Sequence, residues 1–184
     1  DYTAYVRYGG FGDFRGGGRF SGRITAVYVM AGAVAKKLLE TIEVEVLAHT
    51  VQIGGVKLSK EVSIDDIRRN VYQNLVRCAD LETASAMQNE VSRVSSAGDS
   101  VGGVVEGLAL KVPAGLGDPV FDSLDSDIAK MLFNVPAVKG VEFGSGFKSA
   151  SMKGSENNDP YLLRDGKVVT LTNNAGGILG GVST

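Results

Sequence analysis

RGGGRFSGRITAVYVMAGAVAKKLLETIEVEVLAHTVQIGG, residues 15–55, runs through three patterns in succession. Its opening, Arg15 to Arg23, spaces arginines with glycines and one serine. Arginine forks grip anions bidentately, and glycines let backbone N–H groups approach a ligand closely. The alanine-rich run that follows predicts a helix over Thr25–Glu40. A glycine loop that feeds a helix start suits an anion, because unpaired N–H groups and the positive end of the helix dipole meet there. Beyond the helix, Glu43–Ile53 is β-branched and roughly alternating, and Gly54 and Gly55 close it as a strand.

Working outward, Asp1 to Tyr8 (DYTAYVRY) alternates enough to be read as a strand. Ser63 and Asp66 carry a capping-box pattern at the head of SIDDIRRNVYQNL, and a second helix is expected from Leu81 to Ser96, ended by Gly98. SVGGVVEGLALKV sets Leu108, Leu110 and Val112 on one face of a strand. In GLGDPVFDSLDSDIAKML, Asp118 is expected to cap a helix that has Pro119 at its first position. VPAVKGVEF reads as a strand, and Asp165-Gly166 marks the tip of a two-residue hairpin within Leu162–Leu171. Strand, glycine loop, helix and strand thus occur in order at Tyr2–Ile53 and again at Val101–Phe143, the order that duplication of one α+β unit would leave. Hairpin connections favour antiparallel sheets with helices packed on them over a doubly wound parallel sheet.

With 184 residues, 43% apolar, the chain can bury a core of its own, and it is read as one domain over 1–184. A formal net charge of −2 and an aromatic content of 7% argue against a nucleic-acid module built around RGGGR. The lone cysteine, Cys78, allows no internal disulfide and fits a reducing, cytoplasmic setting. Ile24 to Ala35 is the longest apolar run, too short for a bilayer, and the start shows no secretory pattern, so no membrane partner is expected. The chain opens without methionine and stops mid-pattern, which reads as part of something longer.

Taken together, RGGGRFSGR, AGAVAKKLL, QIGG, VRCAD, GDSVGGVVE, GLGDPVFDSLDSDIAKML, VPAVKGVEFGSGF, GSENND and TNNAGGILGGVST resemble the chorismate synthase family in order and in spacing. The resemblance covers nearly the whole chain. It implies a β-α-β sandwich fold assembled as a homotetramer. It also implies a lyase that converts 5-enolpyruvylshikimate 3-phosphate to chorismate by 1,4-elimination of phosphate, with reduced FMN required. By the same resemblance Arg19, Phe20 and Ser21 contact FMN, Asn174 and Ala175 form a second FMN-contacting block, and Arg23 reaches the polyanionic substrate. Whether the flavin is reduced with NADPH or by an external reductant stays open, since no dinucleotide fingerprint is present. The alternative is an FMN-binding or oligomerisation core without catalysis.

The family pattern GGGRSSARETA reads GGGRFSGRITA here, with Phe20, Gly22 and Ile24 as departures and both arginines kept. Phe20 removes a hydroxyl, and Ile24 removes a carboxylate from the start of a helix. The resemblance puts the family's two acid–base histidines ahead of Asp1, so no catalytic residue is assigned in this chain. His49 sits mid-strand and reads as structural rather than as a base. Cys78 reads as a buried inert thiol, and Asp122, Asp125 and Asp127 as solvated residues of a helix start rather than metal ligands.

Overall fold

A computed structural model describes all of residues 1–184. In chain order the elements are α1 (Tyr2–Arg7), α2 (Thr25–Glu40), β1 (Glu45–Ile53), β2 (Val56–Lys57), α3 (Ile64–Asn70), α4 (Leu81–Ser96) and β3 (Gly103–Leu110). Then follow α5 (Leu124–Leu132), α6 (Gly154–Asn157), β4 (Tyr161–Arg164), β5 (Lys167–Thr170), β6 (Ile178–Leu179) and β7 (Val182–Ser183). Every strand pairing is antiparallel, as the α+β reading requires. The chain divides into two compact units, Lys36–Lys111 and Asp1–Ala35 with Val112–Thr184.

The first of these units is a three-stranded sheet in the order β2-β1-β3. Glu45 faces Leu110 and His49 faces Glu106, and an irregularity between Thr50 and Gln52 shifts the register by one residue. The shift leaves the Thr50 N–H free to reach the Arg77 carbonyl, at 2.9 Å. Helix α3 starts where the capping box predicts: Ser63 Oγ accepts the Asp66 N–H at 3.1 Å, and Asp66 Oδ2 accepts the Ser63 N–H at 3.0 Å. Ile67 on α3, Val71 and Ala79 are thereby buried against Leu47 and Leu108 of the sheet. At the start of α4 the Asp80 carboxylate accepts the Thr83 N–H at 2.8 Å, which sets Ala84 and Met87 one turn apart, inward, beside Cys78. All the fully buried apolar side chains of the chain lie in this unit.

The second unit is built mostly from turns. Its hairpin β4–β5 pairs Tyr161 with Thr170 and Arg164 with Lys167. Asp165 and Gly166 take φ of +52° and +74° at the tip, the two positive values that the Asp-Gly reading requires. A second hairpin, β6–β7, pairs Ile178 with Ser183. Ser183 is buried, donates to the Pro113 carbonyl at 2.7 Å, and tethers residues 113–116 to the chain end.

Four expectations fail here. Asp1–Tyr8 is not a strand; Tyr2–Arg7 is helix α1, closed by Tyr5 N–H to Asp1 and Tyr8 N–H to Ala4, both 3.1 Å. A strand needs a neighbour's ladder, no other strand pairs with this segment, and a helix satisfies its own backbone. Asp118 does not cap α5: its N–H and carbonyl exchange bonds with those of Asp122 at 2.8 and 3.0 Å, and Leu124 N–H bonds to the Gly181 carbonyl at 2.8 Å. Residues 119–121 instead form a turn closed by that Asp118–Asp122 bridge, and α5 starts only after Ser123, which stands at the N-cap position without a side-chain cap bond. Val135–Phe143 forms no strand, because local turns take its donors, Val135 to Leu132 and Val138 to Val135. Neither half keeps the order strand, loop, helix, strand, so the structure carries no sign of duplication.

Candidate functional site

Residues 15–24 descend to α2 through two successive 3₁₀ turns, Gly18–Phe20 and Gly22–Ile24. Between them Ser21 is extended, with φ −75° and ψ 135°, and its Oγ accepts the Arg23 N–H at 3.2 Å. Thr25 Oγ1 donates to the Gly22 carbonyl at 2.8 Å, tying the second turn to the helix start. This geometry sets Arg19 and Arg23 on consecutive exposed turns. Arg15 is held by a bidentate bond to Asp13, the guanidinium drawing that carboxyl below its usual range. Arg19 and Arg23 make no ion pair, so their forks keep all their donors for a ligand. Phe20 meets Tyr8, the residue that follows α1, edge to face, ring centroids 6.1 Å apart, and is still 42% exposed.

The second candidate block, residues 172–177, is held by close backbone packing. Ser145 N–H donates to the Asn174 carbonyl at 2.7 Å. A Cβ on Gly144 would lie 2.0 Å from that same carbonyl oxygen and 2.4 Å from the Gly176 nitrogen, so only glycine allows the two loops to meet. Ser145 Oγ donates to Asn157 Oδ1 at 2.8 Å, and Asn174 Nδ2 donates to the Glu156 carbonyl at 3.3 Å. That leaves Asn174 Oδ1 as a free acceptor. EFGSGF and GSENND therefore cradle TNNAGG, a role that motif order alone did not reveal; the signal was the glycine at 144.

The structure thus gathers Arg19, Phe20, Ser21 and Arg23 on one pair of turns, and Asn174 with Ala175 in one loop cluster. No hydrogen bond, ion pair or ring contact joins the two groups. Free guanidinium forks suit an anion such as phosphate or carboxylate, and a free amide oxygen suits an N–H donor.

Residues set aside in the sequence fall elsewhere. His49 is 1% exposed in the core of the first unit, its Nε2 lying 2.8 Å from Glu106 Oε2 across the strands, with Nδ1 unpartnered. Cys78 is fully buried, and that burial pushes its thiol pKa up, as an inert structural cysteine requires. Asp125 and Asp127 lie in the first turn of α5, and nowhere do three or more His, Cys, Asp or Glu residues gather as metal ligands. No helix is long and apolar enough to cross a membrane.

The scaffold is α+β with antiparallel sheets, and on it stand unpaired arginines on a glycine turn and a glycine-packed loop with a free side-chain amide oxygen. The family model described as chorismate synthase matches residues 1–184. A chorismate synthase of Dehalococcoides mccartyi is 51% identical over 183 residues, covering 100% of this chain and 50% of the relative. One from Methanocella arvoryzae is 55% identical over 180 residues, covering 98% of this chain and 48% of that protein. A crystal structure of chorismate synthase superimposes with a TM-score of 0.89 at 29% identity, covering 100% of this chain and 58% of that one. This chain belongs to the chorismate synthase family, and it spans about half the length of the curated relatives it matches.

Proposed function

We propose that the protein carrying this chain is a chorismate synthase, a lyase of the shikimate pathway that forms chorismate and phosphate from 5-enolpyruvylshikimate 3-phosphate. The observation that carries the reading is the pair of unpaired guanidinium groups, Arg19 and Arg23, on a turn inside an unbroken family match. Arg23 would hold the substrate's phosphate or carboxylate, where a planar fork matches geometry that an ammonium would not. Arg19, Phe20 and Ser21 would hold FMN from one side, and Asn174 and Ala175 from the other. Ser21 Oγ already accepts the Arg23 N–H, so its own proton is free to donate to the cofactor. Reduced FMN, when bound, supplies electron density as the C–O bond to phosphate breaks and recovers it as the C–H bond is lost. Residues 1–184 carry binding and orientation in this scheme, and none of them is assigned the acid–base role.

Both units are taken as parts of one family domain, as the single continuous match supports. A cytoplasmic homotetramer without nucleic-acid or membrane partners completes the reading. The test is an anaerobic assay of the full-length protein with dithionite-reduced FMN. Chorismate and phosphate should appear in equal amounts. Flavin binding without turnover of this substrate would favour the non-catalytic core instead. Turnover with NADPH and oxidised FMN alone would show that the protein reduces its own flavin.

A further inference from the structure

Two neighbouring N–H groups in the candidate cofactor loop point at one carboxylate. Asp159 Oδ1 accepts the Asn174 N–H at 2.7 Å, and Asp159 Oδ2 accepts the Ala175 N–H at 2.8 Å. The Thr172 hydroxyl donates to Asp159 Oδ1 at 2.5 Å. Residues 172–177 precede β6 and belong to no strand, so their donors have no ladder to satisfy them. The hairpin explains how the carboxylate arrives there. Continuing the β4–β5 register, which pairs Tyr161 with Thr170, two residues beyond each strand end sets Asp159 opposite Thr172. Pro160 follows Asp159, and its carbonyl accepts the Leu171 N–H at 2.9 Å, which locks that end of the hairpin. No cation pairs with Asp159, so its charge is spent on these donors. The Thr172 hydroxyl and the two N–H groups hold its carboxyl below the usual range.

We infer that Asp159 is the positioning residue of the flavin-facing loop, fixing the backbone of Asn174 and Ala175 so that the Asn174 amide oxygen faces outward. The inference rests on the FMN reading of that loop. It also sharpens it. With the Asn174 and Ala175 N–H groups already taken by a carboxylate, the loop has no backbone donors there for a phosphate. What remains is an acceptor, suited to the N–H edge of the isoalloxazine ring, while the phosphate and the acidic substrate fall to Arg19 and Arg23.

The experiment uses the full-length protein with three single variants: Asp159→Asn, Thr172→Val and Asn174→Ala. Asparagine keeps one acceptor but turns a donor toward the Ala175 N–H. Hydrogen–deuterium exchange without FMN should show the amides of Asn174 and Ala175 exchanging about tenfold faster or more in Asp159→Asn, as expected when a charged bond is lost. Thr172→Val, which leaves the charge in place, should give a smaller change in the same direction. FMN affinity should fall about tenfold in Asp159→Asn, with a shift in the visible absorption of the bound flavin. Unchanged exchange at residues 174 and 175 in both Asp159→Asn and Thr172→Val would overturn the positioning role. Faster exchange with FMN affinity intact in both Asp159→Asn and Asn174→Ala would overturn the flavin assignment of the loop, and the inference with it.

Discussion

Replacing Gly144 with alanine probes the packing that builds the second candidate block. Gly144 has φ +57°, a conformation that costs an L-residue roughly 1–2 kcal/mol. The new methyl would stand 2.0 Å from the Asn174 carbonyl oxygen and 2.4 Å from the Gly176 nitrogen. Both are backbone atoms and cannot swing aside, so one loop must retreat by about 1.5 Å to reach ordinary contact. That retreat breaks the 2.7 Å bond from the Ser145 N–H to Asn174, a further loss of about 0.5–1.5 kcal/mol. The expected total is about 1.5–3.5 kcal/mol. Gly140→Ala is the control, since a Cβ there meets no atom within 4 Å and its φ is not positive. Urea unfolding of the full-length protein gives the stability difference, and hydrogen–deuterium exchange over residues 173–177 localises it. If Gly144→Ala unfolds at the same urea concentration as Gly140→Ala, the backbone contact is not holding this loop and the reasoning is wrong.

Arg23→Ala should weaken binding of 5-enolpyruvylshikimate 3-phosphate by about 10- to 100-fold, while FMN affinity changes much less; titration calorimetry of each ligand separates the two, and equal losses would show that Arg19 and Arg23 do not divide the work. Asp80 caps α4 with its carboxyl held below the usual range by the Thr83 hydroxyl and N–H. Its folded pKa is thus depressed, so its contribution is complete above the unfolded value near ~3.9 and is lost as pH falls through the folded value. Asp80→Ala should therefore cost about 1 kcal/mol at neutral pH, with the gap from the parent closing below about pH 4; a gap independent of pH would contradict the capping role. Cys78 should resist a neutral thiol reagent in the folded protein and react fully in denaturant, and rapid labelling under native conditions would show that the first unit is not packed as described.

Local chemistry was legible where the sequence carries its own partner. The Ser63–Asp66 box, the Leu81–Ser96 helix, the Asp165-Gly166 turn and the Thr25–Glu40 helix all depend on residues a few positions apart. Asp1–Tyr8 and Val135–Phe143 were misread because a strand exists only if another strand supplies its ladder, and alternation in one segment says nothing of that. Asp118-Pro119 failed for the opposite reason: a good local cap lost to bonds with Asp122 nearby and Gly181 far along the chain. At the candidate site, the arginine turn was readable because glycine and arginine spacing is a local signal. Asp159 was not, because its three donors lie 13 to 16 residues away and meet it only when the hairpin folds.

The central claim is that two blocks more than a hundred residues apart serve one flavin. The most direct measurement is a crystal structure of the full-length protein with FMN and 5-enolpyruvylshikimate 3-phosphate bound. Arg19 and the Asn174 amide should both lie within hydrogen-bond distance of the same FMN, with Arg23 on the substrate. An FMN contacted by neither block, or by one of them with the other facing away, would contradict it.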